Sequence, residues 1–155
     1  MPHEPVVSPI FRDLIDREIE ALLSRNHVGR IAFSFHYSVD IRPIHYVYHD
    51  GWLYGRTSHS DKLVTLRHNQ WVAFEIDEVS GMFDWMSVVV HGTFYRLDSE
   101  GVDHDHSLYE RAVRSLRELT PETLTDRDPL PFRTEVFAVH IDSRTGRSSS
   151  TRRPA

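Results

Sequence analysis

The sequence predicts a mainly β protein, a small and largely antiparallel barrel with peripheral helices. Five or six segments alternate apolar and polar residues as strands do, and most of them are joined by short connections. Two other segments carry apolar residues at helical spacing. The regular strand–helix alternation of a parallel α/β sheet is missing. Hairpin-connected strands with two helices therefore favour the antiparallel barrel.

Length and composition limit the architecture and the class of protein. The 155 residues fit one domain, which we place at 13–147, between an N-terminal arm at 1–12 and a disordered tail at 148–155. No run of about 18 apolar residues exists, so we expect no membrane span. The absence of cysteine excludes disulfides and thiolate sites and fits a cytoplasmic location. A net charge of −5 argues against a nucleic-acid partner.

The first third of the chain predicts a helix followed by strands. Asp13 or Asp16 would cap the helix, which would end near Asn26. The segments "VGRIAFSF", "VDIRPIHYVYH" and "WLYGRT" follow as strands, the last two joined by a tight Asp50-Gly51 turn. The residues that we expect to form the apolar side of the helix are Leu14, Ile15, Ile19, Leu22 and Leu23.

The remaining two thirds continue this pattern. The segment "SDKLVTLRHN" predicts a short helix, "WVAFEIDEV" a strand, and "WMSVVVHGTFYRL" one long strand that is apolar on both faces at its centre. A second amphipathic helix is predicted in "DHDHSLYERAVRSLRELT", capped by Asp103 or Asp105. The last strand, "TEVFAVHID", would be followed by a turn at Gly146. The expected inward residues are Val72, Phe74 and Ile76 in the strand and Leu108, Ala112 or Val113, Leu116 and Leu119 in the helix.

Lys62 is the only lysine among 18 basic residues, and it falls where the short helix begins. A cation in the first turn opposes the helix dipole at a cost of about 0.3 to 1 kcal/mol when exposed. A bound anion would reverse that sign, and the hydroxyls of Thr57 and Ser58 could bind the same anion. Alternatively, Ser60 caps the helix and Lys62 is a solvated surface residue.

Strand "DIRPIHYVY" contains a proline, which removes a backbone donor from the sheet. Pro43 therefore predicts an edge strand or a bulge, where free backbone groups can meet a ligand. Strand alternation places Arg42, Ile44 and Tyr46 on one face and His45 on the other.

Other kinds of site find little support in the sequence. A nucleophile motif "GxSxG" and a dinucleotide motif "GxGxxG" are both absent. The pair His104 and His106 suggests a metal, but residues two apart do not share a helical face, so we expect no metal site. His45, His91 and His140 all lie in predicted strands, and a structural role is the first interpretation for each of them.

Three segments together carry a resemblance to a known family: "LLSRNHVGRIAFS", "RPIHYVYHDGWLYGRTSHSDKLVTLRHNQWVAFEIDEV" and "WMSVVVHGTFYRL". In their order and spacing they resemble the pyridoxamine 5′-phosphate oxidase-like split-barrel flavoproteins, especially the short branch related to nitroimidazole-resistance proteins. The likeness covers roughly residues 12 to 147. It implies a six-stranded split barrel that forms a homodimer and holds FMN at the dimer interface.

The resemblance also assigns candidate residues. Arg42 to Val47 match the strand that runs along the flavin, whereas Thr57, Ser58 and Lys62 match the phosphate-binding loop. Ser87 matches a polar position near the flavin ring, and Trp85 would cover the ring or the interface. His45 is the candidate proton donor. The complete set of candidate cofactor-binding residues is Arg42, Pro43, Ile44, His45, Tyr46, Val47, Thr57, Ser58, Lys62, Trp85 and Ser87.

The activity implied is that of an FMN-dependent oxidoreductase, in which NAD(P)H reduces the flavin and a small electron-poor molecule, such as a nitroaromatic or a quinone, accepts the electrons. The chain lacks the C-terminal tryptophan and arginine-rich segment of the vitamin B6 enzyme, so we do not expect that reaction. Asp61 stands where the family usually has an arginine, which leaves room for a deazaflavin. A flavin- or haem-binding protein without turnover is the remaining alternative.

Overall fold

The structure, a computed structural model, describes residues 8–66, 70–100 and 103–152, without side chains for 103–105. The two α-helices of the described chain are α1 (Asp16–Arg25) and α2 (Asp103–Leu119), and a short 3₁₀ helix spans Lys62–Thr65. The described strands are β1 (Ile10–Asp13), β2 (Val28–Phe35), β3 (Ser38–His45), β4 (Val47–His49), β5 (Trp52–Thr57), β6 (Gln70–Gly81), β7 (Asp84–Leu97) and β8 (Glu135–Ser150).

One antiparallel sheet contains all of these strands, so the predicted mainly β class is confirmed. Its order is β3-β2-β6-β7-β8-β5-β4, and β1 pairs with the far end of β8. The sheet is open, because β3 and β4 lie at its two ends. These strands are consecutive parts of one chain segment, and counted together they give six main strands plus β1. This arrangement agrees with the split barrel that the sequence predicts.

Tyr46 separates β3 from β4 and fixes the bend between them. Its side chain is fully buried, and its hydroxyl donates a hydrogen bond of 2.8 Å to the carbonyl of Leu23 in α1. Its backbone N–H donates to the carbonyl of His27 at 2.9 Å, and its ring packs edge-on against Phe74. Burial raises the pKa of the Tyr46 phenol above its usual range. The bend is therefore held by both backbone and side-chain contacts.

Two apolar clusters lie on opposite sides of the sheet. The inner cluster includes Val72, Phe74 and Ile76, which confirms the predicted alternation of β6. The outer cluster joins α2 to β5 and β8. None of the described helices is long and apolar enough to cross a membrane. The residues of α1 and α2 that are buried in the two clusters are Ile19, Leu22 and Leu23 inside, and Leu108, Ala112, Val113 and Leu116 outside. Leu14, which was predicted to lie on the helix, precedes α1 and is also buried in the inner cluster.

Two local predictions in the strands are confirmed. Asp50 and Gly51 both have positive φ, at 50° and 85°, as a two-residue hairpin turn with the right twist requires. Pro43 lies in β3, which pairs only with β2 among the described strands. The proline thus occupies an edge strand, where its missing N–H breaks no ladder.

The predicted turn at Gly146 is wrong, and so is disorder at 148–150, whereas residues 153–155 of the predicted tail lie outside the described residues. Strand β8 continues through Gly146 to Ser150, and it is paired there with both β7 and β1. Ser148 and Ser149 are buried. A Cβ at Gly146 would lie 2.9 Å from side-chain atoms of Leu14 and Ile19, so the glycine permits a close approach rather than a turn.

The predicted cap of α1 is also wrong, although its end at Asn26 is confirmed. The N-cap is Ile15, because Asp13 belongs to β1 and Asp16 already lies inside the helix. The carboxylate of Glu18 reaches back and accepts a hydrogen bond from the Ile15 N–H at 3.2 Å. Ile15 and Leu119 were predicted to lie on the apolar sides of the two helices. Both side chains are exposed, so this part of the prediction is wrong.

A buried ion pair holds the loop between α2 and β8 against the sheet. Arg56 in β5 donates to both carboxylate oxygens of Asp128. Asp128 also accepts hydrogen bonds from the backbone N–H groups of Leu124 and Leu130. The guanidinium and these donors hold the pKa of Asp128 well below its usual range. The pair fixes the loop that carries Arg133, which contacts β3.

We predict that Tyr46→Phe lowers the free energy of unfolding by about 1 to 2 kcal/mol, since it removes one buried hydrogen bond and leaves the Leu23 carbonyl without it. Urea unfolding measures the change. Tyr37→Phe is the matched control, because Tyr37 is fully exposed and its substitution should change little. Equal stability of the two variants would contradict the role given to the Tyr46 hydroxyl.

Candidate functional site

The loop after β5 lies against strand β3, at the split between the two edges of the sheet. Leu63 and Leu66 anchor this loop in the inner core. The ammonium of Lys62 lies 3.4 Å from Asp40 Oδ2, on β3. The fold therefore brings the predicted phosphate-binding loop to the strand that was predicted to accompany the flavin.

Asp61 organises this loop. It is the N-cap of the 3₁₀ helix, so the alternative in which Ser60 caps the helix is not what the structure shows. Its carboxylate accepts hydrogen bonds from the Leu63 N–H at 2.9 Å and from the Thr57 hydroxyl at 3.0 Å. The Arg42 Nε lies 3.9 Å from the same carboxylate. Asp61 thus joins the end of β5, the loop and β3.

Two cations and several hydroxyls belong to β3 and to the loop after β5. Lys62 is half-exposed and lies 5.4 Å from the centre of the Phe35 ring, so it packs against the protein rather than extending freely into water. Arg42 is also half-buried. The hydroxyls of Ser58 and Ser60 are exposed and lie 3.4 Å apart. Such a set of ammonium, guanidinium and hydroxyl donors fits a phosphate group.

The segment Arg42 to Val47 divides into three parts. Arg42 and Ile44 face the inner side of the sheet, opposite Ile31 and Gly29 of β2. Pro43 and His45 face outward and are exposed. Tyr46 and Val47 are both buried, which breaks the alternation at the bend. The side chains of Tyr46 and Val47 are therefore part of the core.

His45 lies on the side of β3 opposite to Arg42. Its Nδ1 lies 3.5 Å from a guanidinium nitrogen of Arg133. The ring is exposed to solvent. The candidate proton donor therefore lies on the outer face of the strand, away from Arg42.

Ser87 and Trp85 lie elsewhere on the sheet. Arg42 is in register with Ile31, and Ile31 with Phe74, whereas Trp85 is in register with Val79. Measured along the sheet, Trp85 is therefore three strands from Arg42, or about 14 Å at roughly 4.8 Å per strand, and it lies about 16 Å farther in the direction of the strands. Ser87 lies two residues closer. One chain does not bring these side chains to the Lys62 loop.

Trp85 instead lines a groove of about 860 Å³ near the tip of the β6–β7 hairpin. The groove also contains Ile10, Met86 and the serines at the end of β8. The Trp85 ring lies 6.3 Å from the ring of Phe11, centre to centre. This part of the structure is formed by β1 and by the end of β8, which the sequence analysis expected to be an arm and a tail.

The outer face carries a charged cluster that the sequence pattern does not predict. Arg30 lies 3.6 Å from both Glu75 Oε1 and Asp77 Oδ1, so one guanidinium faces two carboxylates. The Oε1 atom of Glu75 is buried, and no hydrogen-bond donor of the described chain reaches it. Burial and the charge of Asp77 raise the pKa of Glu75. The outward acids of "FEIDEV" are visible in the sequence, but their pairing with Arg30 depends on strand register.

The pyridoxamine 5′-phosphate oxidase family model matches residues 16–148. A comparison with curated proteins finds no match. A FAD-binding protein from Mesorhizobium loti has a similar structure, with 25% identity, a TM-score of 0.69, and coverage of 92% of this chain and 99% of the other.

A FAD-binding protein from Mycobacterium smegmatis is similar at 25% identity, with a TM-score of 0.62 and coverage of 88% and 99%. A FAD- and haem-binding protein from the same organism shares the fold at 13% identity, with a TM-score of 0.64 and coverage of 88% and 72%. The family match spans most of the chain, and the open antiparallel barrel agrees with it. The chain belongs to the pyridoxamine 5′-phosphate oxidase-like family.

Proposed function

We propose that this protein binds a flavin nucleotide and uses it as an oxidoreductase. The observation that carries the proposal is that two cations, Lys62 and Arg42, lie where β3 meets the loop after β5, a loop that Asp61 ties to Thr57. The exposed hydroxyl of Ser58 belongs to the same loop. The FAD-binding descriptions of the two structures at 25% identity support a flavin as the ligand.

Each of these residues has a defined task in the proposal. Lys62 and Arg42 neutralise the phosphate, and the Ser58 hydroxyl donates a further hydrogen bond. Thr57 already donates its hydroxyl hydrogen to Asp61, so its task is to keep the loop in place rather than to donate to the ligand. Pro43 leaves the edge of β3 open beside the site. A bound flavin would supply hydride and single-electron transfer, with an electron-poor small molecule as acceptor and NAD(P)H as donor.

FMN is the first candidate cofactor, because the site presents one compact group of phosphate-binding side chains. FAD is the second candidate, in view of the two FAD-binding structures. A deazaflavin remains an alternative because Asp61 reduces the positive charge of the loop. Haem is an alternative on the same fold, and binding without turnover is the alternative to a reductase.

We also propose that two copies form the complete site. Trp85 and Ser87 are too far from the Lys62 loop within one chain, and a second copy could place its own pair beside it. The outer face of the sheet near β3 exposes several apolar side chains, which cost about 25 cal/mol per Å² when left in water. The exposed residues of this face are Val28, Val39, Ile41 and Trp71.

We predict that Lys62→Glu weakens FMN binding by about ten- to hundredfold, since it replaces a charge-assisted hydrogen bond with repulsion. Titration of the apoprotein with FMN, followed by flavin fluorescence, measures the change. Arg127→Glu makes the same charge change at an exposed position in the loop before β8. Equal affinity of both variants for FMN would indicate that Lys62 is a solvated surface residue that does not bind the phosphate.

We predict that anaerobic NADPH bleaches the FMN-loaded protein and that a nitroaromatic or quinone restores the oxidised spectrum, because hydride enters the flavin and two electrons leave it. Visible absorbance follows both steps, and free FMN at equal concentration gives the background rate. A loaded protein that NADPH reduces no faster than free FMN would favour the binding protein without turnover.

We predict that Ile41→Asp shifts the protein from dimer to monomer, since it places a charge on the exposed apolar face of β3. Light scattering measures the mass. Phe132→Asp is the matched control, because Phe132 is similarly exposed but lies in the loop before β8. A wild-type protein that is monomeric at all concentrations, with or without FMN, would contradict the shared site.

A further inference from the structure

We propose that Asp40 sets the affinity of this site for phosphate by competing with the ligand for Lys62. The inference rests on the proposed function and concerns the same site. It assigns a specificity role to a residue on β3 that is 22 positions away from Lys62 in the sequence. It follows that Asp40 changes the affinity for flavins that carry a phosphate and does not change the affinity for the flavin ring alone.

The two acids near the cations differ in how firmly they are held. Asp61 is fixed by the Leu63 N–H and the Thr57 hydroxyl, besides its approach to Arg42. Asp40 pairs with Lys62 alone among the described residues, at 3.4 Å, which is long for a charge-assisted hydrogen bond. Asp61 is thus a structural cap, whereas Asp40 can turn away without loss of another contact.

The charges explain why this pairing matters for a ligand. In the free protein, Asp40 faces Lys62 and Asp61 faces Arg42, so both cations already have a partner. A phosphomonoester carries a charge between −1.5 and −2 at neutral pH, and it would meet both carboxylates. Binding therefore requires the Lys62 ammonium to exchange Asp40 for a phosphate oxygen. Asp40 makes that exchange less favourable because the ligand must displace it from Lys62.

The size of the effect follows from the exposure of the pair. The side chains of Lys62 and Asp40 are 49% and 29% exposed. Ion pairs with this access to water change an equilibrium by a factor of about one and a half to five. Removal of the Asp40 charge should therefore tighten phosphate binding by roughly two- to fivefold.

The test compares FMN with riboflavin, which has the same ring and no phosphate, in titrations at fixed ionic strength. Asp40→Asn should lower the Kd for FMN about two- to fivefold and leave the Kd for riboflavin unchanged. Asp40→Glu, which keeps the carboxylate, should restore the wild-type ratio. Asp126→Asn removes an equal charge at an exposed position in the loop before β8 and should affect neither ligand.

A second experiment, in a protein that carries Lys62→Gln, tests whether Asp40 acts through Lys62. If Asp40 acts through Lys62, most of the gain from Asp40→Asn should disappear when Lys62 is replaced by glutamine. Equal improvement for riboflavin and FMN, or a full gain in the Lys62→Gln background, would overturn the inference. FMN binding that Asp40→Asn leaves unchanged would overturn this inference alone. A wild-type protein that binds neither FMN nor riboflavin would overturn the proposed flavin function and this inference with it.

Discussion

The architecture depends on one segment of chain that belongs to both edges of an open sheet. The bend at Tyr46 lets β3 pair with β2 at one edge and β4 pair with β5 at the other. Because Tyr46 is tied to Leu23 and His27, the first helix holds that bend in place. Because β3 and β4 are consecutive in the chain, the two edges of the sheet must lie close together and the sheet must roll. The edges need not form hydrogen bonds with each other along their length.

The candidate site is a consequence of this open seam. A fully closed barrel would pair β3 on both sides, whereas here the loop after β5 packs beside it with Leu63 and Leu66 in the core. Asp61 makes the packing specific because it accepts hydrogen bonds from the loop and from the end of β5, and its carboxylate also lies near the Arg42 guanidinium. The acid that weakens the positive charge of the site is therefore also the residue that shapes it.

Much of the fold could be read from the sequence because it rests on local periodicity. Pro43 indicated an edge and Asp50-Gly51 a hairpin turn, since both act through their own backbone angles. The same local reasoning failed at Gly146, which serves a close approach by Leu14 rather than a turn. It also failed at the end of β8, where the serines pair with β1 and two of them, Ser148 and Ser149, are buried. A polar sequence can still form a strand when neighbouring strands pair with it on both sides, and the polarity of the sequence does not show this.

The sequence by itself determined the class of the fold, most of the elements, the family resemblance and the unusual position of Lys62. Only the tertiary structure decided which charges meet: Asp40 with Lys62, Asp61 with Arg42, and Arg30 with two outward acids. The reason is that periodicity fixes the face of a residue within its own strand. Contacts between distant residues depend on strand register, on the roll of the sheet and on where the chain bends.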